Sequence, residues 1–322
     1  MGKIKKMRMR CIAAVLAIIM SLCFSSCTDI QSALSNIMNP TESASTSQNE
    51  QTKSGEKSPD KRYGDKSQVH FVDCGQGDCE IILSNGAVTV IDTGTRKSAQ
   101  RVLEYIKSLG VSKIDNLVLT HPHEDHIGGA ATLIRALSIG TIYMSRPTKG
   151  TEPTTAVYID TLTAISDKGL KITTAKAGME FSAGDFKMKI LSPQKDYEDL
   201  NDQSVVIRAE YDKVSFLFTG DAESEPCNDM IKNYRSELDC TVLKVGHHGS
   251  KTSTSVKFLE AVSPQYSVIS CGEGNSYGHP HGAVLKRLEK SGTKIYRTDI
   301  QGSVVMKTNG KSIDVNIEKA SG

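Results

Sequence analysis

One short segment of the chain concentrates residue types that bind metal. Three histidines and two acids lie within six positions: His121, His123, Glu124, Asp125 and His126. Imidazole nitrogens and carboxylate oxygens are ligands of zinc, manganese and iron in proteins. The spacing lets His121 and His123 face one ion while Asp125 and His126 face a second. The segment therefore predicts a dinuclear metal site.

These residues directly follow an apolar run, and similar runs recur along the chain. Such runs predict strands at 69–74, 79–84, 87–92, 117–119, 141–144, 170–174, 186–191, 204–211, 214–219, 241–246, 266–271, 294–297, 303–307 and 312–317. Apolar residues at helical spacing predict helices at 96–109, 129–137, 223–235, 255–262 and 282–291. The alternation predicts a mixed α/β domain with two packed sheets and helices outside.

Composition excludes several classes of protein. The 322 residues are 38% hydrophobic and 24% charged, which excludes wholesale disorder. The net charge of +2 comes from the N-terminus, because residues 27–322 hold 34 basic and 37 acidic residues. A globally basic DNA-coating protein is excluded. Past residue 27 the chain has five cysteines, an odd number that cannot form a complete disulfide framework.

The N-terminus has the pattern of an export signal. Five basic residues precede an apolar run at 11–24, which is shorter than the about 20 residues that span a bilayer. Small residues before Cys27 resemble a bacterial lipoprotein signal. We expect a lipoprotein signal at 1–26, a lipidated Cys27 with a flexible polar linker over 27–67, and a hydrolase domain at 68–322. The expected location is extracytoplasmic, anchored to the membrane by lipid, with secretion as the alternative.

Several segments together resemble a known family. The pattern His-x-His-x-Asp-His after a strand resembles the metallo-β-lactamase superfamily, as do residues 90–94 (Val-Ile-Asp-Thr-Gly), 218–221 (Phe-Thr-Gly-Asp) and 244–250 (Lys-Val-Gly-His-His-Gly-Ser). Residues 71–78, 201–204, 275–280 and 296–299 resemble, more narrowly, the hydrolase domain of ComEC-type competence proteins. The resemblance implies an αββα four-layer sandwich with two divalent ions, zinc or manganese, between its sheets.

The resemblance also implies the ligands. For the first ion they are His121, His123 and Asp221, and for the second Asp125, His126, Asp221 and His247. His248 is the alternative last ligand and would otherwise contact substrate. Many family members have a further histidine before the bridging Asp, but this chain has none between His126 and His247. Asp202 is the possible substitute, and its alternative is a turn-forming loop residue. Coordination by Asp202 would shift the preference toward manganese.

Other candidate residues surround this set. Asp92 is expected to orient a ligand histidine. Asp221, Asp125, His248 and His279 are the catalytic candidates, with His279 donating a proton to the leaving group or holding an anionic oxygen; it is alternatively a loop residue without a role. Candidates for a phosphate pocket are Ser250, Lys251 and Asn275.

The predicted activity is hydrolysis by a metal-bridging hydroxide. By resemblance the substrate is a phosphodiester, with DNA favoured. Against DNA, residues 68–322 hold 29 basic and 31 acidic residues, with only small basic clusters such as Lys286–Arg287, Lys294 with Arg297, and Lys244 with Lys251. The alternative is a cell-envelope esterase acting on phosphorylcholine or teichoic-acid-like polymers. No protein partner is predicted.

Overall fold

The structure is a computed structural model, and it describes residues 66–319. The predicted signal, the lipidation site at Cys27 and nearly all of the linker lie outside these residues. The first strand begins at Ser67, one residue before the predicted start of the domain. Among residues 66–319, no helix has the length and apolar character needed to cross a bilayer.

The strands form two sheets. The first, with eight strands, has the order β15-β14-β1-β2-β3-β4-β5-β6, and the second, with seven, has the order β13-β12-β11-β10-β9-β8-β7. The strands are β1 Ser67–Phe71, β2 Glu80–Ser84, β3 Ala87–Ile91, β4 Lys113–Leu119, β5 Ser138–Met144, β6 Ile172–Thr174, β7 Glu180–Ala183, β8 Phe186–Ser192, β9 Val206–Tyr211, β10 Val214–Phe218, β11 Val242–Lys244, β12 Tyr266–Ile269, β13 Lys294–Arg297, β14 Val304–Thr308 and β15 Ile313–Ile317.

The helices connect strands and lie outside the sheets. They are α1 Ala99–Ser108, α2 Glu124–Ile127, α3 Ala130–Ala136, α4 Ala156–Asp167, α5 Ser224–Asn233, α6 Val256–Val262, α7 Gly282–Ser291 and α8 Thr298–Gln301. The strands β3 to β6 run parallel, as do β10 to β13, so helical crossovers join them. This is the predicted αββα sandwich.

Apolar side chains fill the space between the sheets and the space behind the second sheet. The inter-sheet layer packs Phe71 and Val118 of the first sheet with Phe216 and Phe218 of the second. A second layer packs the outer face of the second sheet against α5, α6 and α7, through residues such as Phe258. Aligned packing of two apolar sheet faces positions the loops at one end of the sandwich.

Four of these elements were not predicted from the sequence: the one-turn helices α2 and α8, the helix α4 and the strand β7. In α4 the buried residues Tyr158, Thr161, Leu162 and Ile165 lie on one face, and the Thr155 hydroxyl caps the helix start. The helix contains several β-branched and small residues, which weaken its local signal. It forms because its apolar face packs beside α3 as the crossover between β5 and β6.

Candidate metal centre

The candidate ligands come from loops that follow parallel strands of both sheets. Asp92 follows β3, His121 follows β4, Asp221 follows β10, and His247 and His248 follow β11. Because carboxyl ends of parallel strands meet at one edge, these loops from the two sheets meet at one end of the sandwich.

The Asp221 carboxylate lies at the centre of four imidazoles. Its Oδ1 is 3.2 Å from His126 Nε2. Its Oδ2 is 3.9 Å from His121 Nε2, 3.6 Å from His247 Nε2 and 3.7 Å from His248 Nε2. Asp221 therefore has the position of a bridging ligand between two ions.

One compact group corresponds to the second ion. Ligand atoms of Asp125, His126, Asp221 and His248 all lie within 4.8 Å of one another. His248 Nε2 is 3.2 Å from Asp125 Oδ2. The structure thus brings His248, the alternative last ligand, into this group instead of His247, which was the first choice from the sequence.

The remaining imidazoles are the candidates for the first ion, and within the described residues they form a looser set than the group above. His121 Nε2 lies 3.0 Å from His123 Nδ1, and both His121 and His247 approach the same oxygen of Asp221. We assign His247 to this side. In that position His247 would take the place of the further histidine that many family members have before the bridging Asp.

The Asp202 carboxylate contacts the protein backbone. Its Oδ1 accepts a hydrogen bond from the backbone N–H of Glu223 at 3.0 Å. Burial raises the pKa of Asp202 to about 6. Its carboxylate caps the backbone after Asp221 and belongs to neither compact group found in the described residues. This contact is the kind expected of the alternative, a loop residue, and it lends no support to a preference for manganese.

The chemistry of this cluster fits two divalent ions. His126 Nε2 and Asp221 Oδ1 are buried and, within the described residues, neither makes a hydrogen bond although they lie 3.2 Å apart. Buried polar atoms without partners are costly unless an ion or water satisfies them. Burial and the neighbouring His126 hold the pKa of His121 well below its usual value. Against the effect of burial, the Asp221 carboxylate raises the pKa of His126 well above its usual value and that of His248 to about 10, so metal binding would displace protons from these two rings.

Contacts behind three of the imidazoles orient them. Asp92 Oδ2 lies 2.7 Å from His126 Nδ1, the type of contact expected for Asp92. Glu223 Oε1 lies 3.0 Å from His247 Nδ1, and the Ser270 carbonyl lies 2.9 Å from His248 Nδ1. An acceptor at Nδ1 places the proton there and leaves the Nε2 lone pair free for a metal.

Unusual backbone geometry separates the adjacent histidines. His247 and His248 have φ of 49° and 53°, and Gly249 follows with φ of 82°. A Cβ at Gly249 would lie 2.6 Å from Pro280 Cβ, so only glycine fits. Non-glycine residues in the left-handed region are uncommon and cluster at functional sites. Here this backbone lets neighbouring rings serve the two sides of Asp221.

The loop carrying His279 lies against the cluster. The His279 ring is 5.5 Å from the His247 ring, and the exposed Tyr277 stacks on it at 5.7 Å. Burial, with His248 and His247, lowers the pKa of His279 to about 4. The ring is therefore neutral at pH 7, and donation from an imidazolium, one of its predicted roles, is disfavoured.

The proposed phosphate-pocket residues have mixed environments. The buried Ser250 hydroxyl pairs with Thr252 Oγ1 at 2.9 Å. The Asn275 amide is used within its own loop, by the carbonyls of Gly272 and His279. Lys251 has an exposed side chain and remains available to a phosphate.

One predicted basic residue is not available to nucleic acid. Lys244 is buried, and its Nζ lies 2.6 Å from Asp78 Oδ2. The sequence analysis missed Asp78 and Glu223 as site residues. The sequence signal that could have indicated Glu223 is its position two residues after Asp221. Asp78 is the last residue of the segment 71–78 that resembles the ComEC-type domain, but no role was predicted for it.

Comparison with known proteins agrees with this geometry. Residues 72–273 match the Metallo-beta-lactamase superfamily. ComE operon protein 3 of Bacillus subtilis (strain 168) is 31% identical over 261 residues, covering 74% of this chain and 33% of that protein. Competence protein ComA of Neisseria gonorrhoeae is 32% identical over 240 residues, covering 74% of this chain and 32% of that protein. The chain spans about a third of the length of these curated relatives.

Solved structures support the fold alone. CmlA, a diiron β-hydroxylase from Streptomyces venezuelae, aligns with a TM-score of 0.53 at 12% identity, covering 76% of this chain and 54% of that one. The metallo-β-lactamase fold protein YhfI from Bacillus subtilis aligns with a TM-score of 0.50 at 12% identity, covering 76% and 100%. The match over residues 72–273 and the relatives that are 31% and 32% identical show that the chain belongs to the metallo-β-lactamase superfamily and is related to the ComEC-type competence proteins.

Proposed function

We propose that the chain is a dinuclear-metal hydrolase that cleaves phosphodiester bonds, with DNA as its substrate. The observation that carries the proposal is the buried Asp221 carboxylate, which belongs to a compact group with Asp125, His126 and His248 and also faces the imidazoles of His121 and His247. Two divalent ions, zinc or manganese, would act there as Lewis acids and lower the pKa of a bound water toward about 7.

The chain's own residues would prepare the site for this chemistry. Asp92, Glu223 and the Ser270 carbonyl hold protons on Nδ1 of three rings, so that their Nε2 atoms face the ions. His123, Asp125, His247 and His279 are partly exposed and form the open side of the site. His279 Nδ1 is buried and has no hydrogen-bond partner among the described residues.

A phosphodiester substrate is supported by charge near the open side. Lys251 is exposed, and its backbone N–H donates to His281 Nδ1 at 3.0 Å. Arg146 is exposed and follows Ser145, whose hydroxyl donates to the carbonyl directly before His121. Cations at the rim suit a phosphate backbone.

DNA is supported by the names of the relatives. These include Competence protein ComA and Recombination protein 2 of Haemophilus influenzae. Both names concern processes that involve DNA, and this chain matches about a third of each protein.

Cleavage of linear single- and double-stranded DNA by the purified chain tests the proposal, with zinc and manganese supplied separately. We expect cleavage that Asp221→Ala abolishes. The matched control is Asp167→Ala, which removes an exposed carboxylate at the end of α4. Two bound metals per chain without cleavage would refute the nuclease. The same preparation is then assayed on phosphorylcholine esters and teichoic-acid-like polymers, the substrates of the alternative envelope esterase.

We also propose that the enzyme works outside the cytoplasm, tethered by lipid at Cys27. The support is the sequence pattern of residues 1–27 and the polar segment after it. Labelled palmitate should be incorporated into the chain and enrich it in the membrane fraction, and Cys27→Ala should abolish both. Incorporation that persists in Cys27→Ala would refute the anchor at this position.

A further inference from the structure

A buried ion pair lies directly behind the second group of candidate ligands. Lys244 Nζ is 2.6 Å from Asp78 Oδ2, and the two side chains are 0% and 1% exposed. Asp78 lies in the loop between β1 and β2 of the first sheet, whereas Lys244 ends β11 of the second. The pair therefore connects the two halves of the sandwich beneath the site.

Asp78 also contacts the candidate ligands. Its Oδ1 lies 3.2 Å from His248 Nδ1 and makes no hydrogen bond within the described part of the chain. The Nδ1 proton of His248 goes instead to the Ser270 carbonyl at 2.9 Å. The backbone N–H of Asp78 donates to the Asp125 carbonyl at 3.1 Å. Asp78 thus touches two members of the second ligand group.

A third cation site at this position is the competing interpretation. Asp78, Asp92 and His126 form a compact group of metal-binding residue types. However, the Lys244 ammonium already neutralises Asp78, and Asp92 already contacts His126 Nδ1 at 2.7 Å. A further ion would have to displace both contacts, so the pair is better described as a counter-charge built into the protein.

We infer that Asp78 and Lys244 are positioning residues that set the affinity of the second metal position by fixing the charge behind His248. The inference rests on the proposed dinuclear site but not on its substrate. Asp78 provides negative charge next to the His248 ring, and Lys244 limits that charge. The two residues should therefore affect metal binding in opposite directions.

The charge argument gives a distinct result for each variant. Asp78→Asn would remove a negative charge beside the Lys244 ammonium, with the buried Glu80 as a remaining carboxylate neighbour, so the surroundings of His248 become more positive and repel a cation. Lys244→Met would leave an uncompensated carboxylate, which attracts one. Both break a buried pair and should lower the stability of the metal-free protein. A purely structural role would instead lower stability and metal affinity together in both variants.

The test measures metal binding by the full chain, independent of turnover. Metal content is measured by elemental analysis, affinity by competition with a chromogenic chelator, and melting temperature after metal removal by calorimetry. We expect Asp78→Asn to bind the second ion about 10- to 100-fold more weakly. Lys244→Met should bind it at least as tightly as the unmodified chain. Lys195→Met, which breaks an exposed pair with Asp229, is the control and should change neither quantity.

Parallel loss of affinity in both variants, or unchanged affinity in Asp78→Asn, would overturn the inference. If Asp78→Asn does not fold, Lys244→Met decides, because weaker binding there contradicts the charge argument. Fewer than two bound ions in the unmodified chain would refute the dinuclear site and this inference with it. Failure to cleave DNA alone would leave the inference intact.

Discussion

Replacing Asp92 by Asn should cost the enzyme its second metal ion while leaving the fold in place. Asp92 Oδ1 accepts from the Thr120 N–H at 2.8 Å, and Oδ2 accepts from Thr120 Oγ1 at 2.6 Å and faces His126 Nδ1 at 2.7 Å. Asn has the same shape and tolerates the left-handed backbone of this position, where φ is 56°.

The magnitude follows from the tautomer of His126. An Asn amide in place of Oδ2 would donate to His126 Nδ1, so that the ring proton moves to Nε2. This atom faces Asp221 Oδ1 at 3.2 Å and would no longer offer a lone pair to a metal. Losing such a partner typically weakens metal affinity 10- to 100-fold, which corresponds to about 1.4–2.7 kcal/mol.

The assay is competition for zinc and manganese against a chelator, followed by steady-state kinetics at saturating metal. Asp212→Asn is the matched control, because Asp212 also has a positive φ, 52°, but is exposed in the turn between β9 and β10. We expect Asp92→Asn to bind one of the two ions more weakly. We expect Asp212→Asn to bind both ions as tightly as the unmodified chain. Affinity equal to that of the unmodified chain would show that Asp92 does not set the His126 tautomer.

Four further expectations concern the site and its surroundings. His247→Ala and His248→Ala should each reduce the bound metal from two ions to one by elemental analysis, and calorimetry should show the larger loss of stability for the fully buried His248. Tyr277→Ala should weaken binding of single-stranded DNA about fivefold or more in fluorescence anisotropy, since base–aromatic stacking contributes about 1–3 kcal/mol. Tyr277→Phe should bind this DNA as tightly as the unmodified chain, and Tyr277→Ala should not weaken binding of an abasic strand. Chelation should lower the melting temperature of the unmodified chain, and Asp221→Ala should respond less. Burial and Lys307 lower the pKa of His70 to about 4 from 6.5. The contribution of neutral His70 to the free energy of unfolding is therefore fully present above pH 6.5 and falls as the pH drops toward 4, by about 2 kcal/mol at pH 5. Denaturant titrations at pH 7.5 and 5 should show a smaller loss of stability between the two pH values in His70→Gln than in the unmodified chain.

The sequence predicted the fold class because its signals are local. Apolar runs such as 87–92 and 214–219 correspond closely to β3 and β10, since buried strands must be apolar wherever they lie. The helix α4 was missed because its propensity is weak and its stability comes from packing beside α3. A local sequence pattern therefore predicts an element correctly where the burial of its side chains and the intrinsic propensity of its residues favour the same secondary structure.

The candidate site was predicted unevenly for a related reason. His121, His123, Asp125 and His126 lie within one loop, where spacing alone indicates their shared role. The choice between His247 and His248 depends on two left-handed residues, which no spacing reveals. For Asp202 the structure adds the hydrogen bond from the Glu223 backbone N–H to Oδ1, the kind of contact expected of the loop residue considered as its alternative.

The sequence by itself determined the chemistry of this protein: imidazole and carboxylate ligands at the ends of apolar strands, within a chain of metallo-β-lactamase type. The tertiary structure decided how those ligands are divided around Asp221 and which residues hold them. It brought Asp78 and Lys244 from different sheets into a buried pair beneath His248. The physical reason is that ligand type is a property of single residues, whereas orientation and charge balance depend on contacts between residues far apart in the chain.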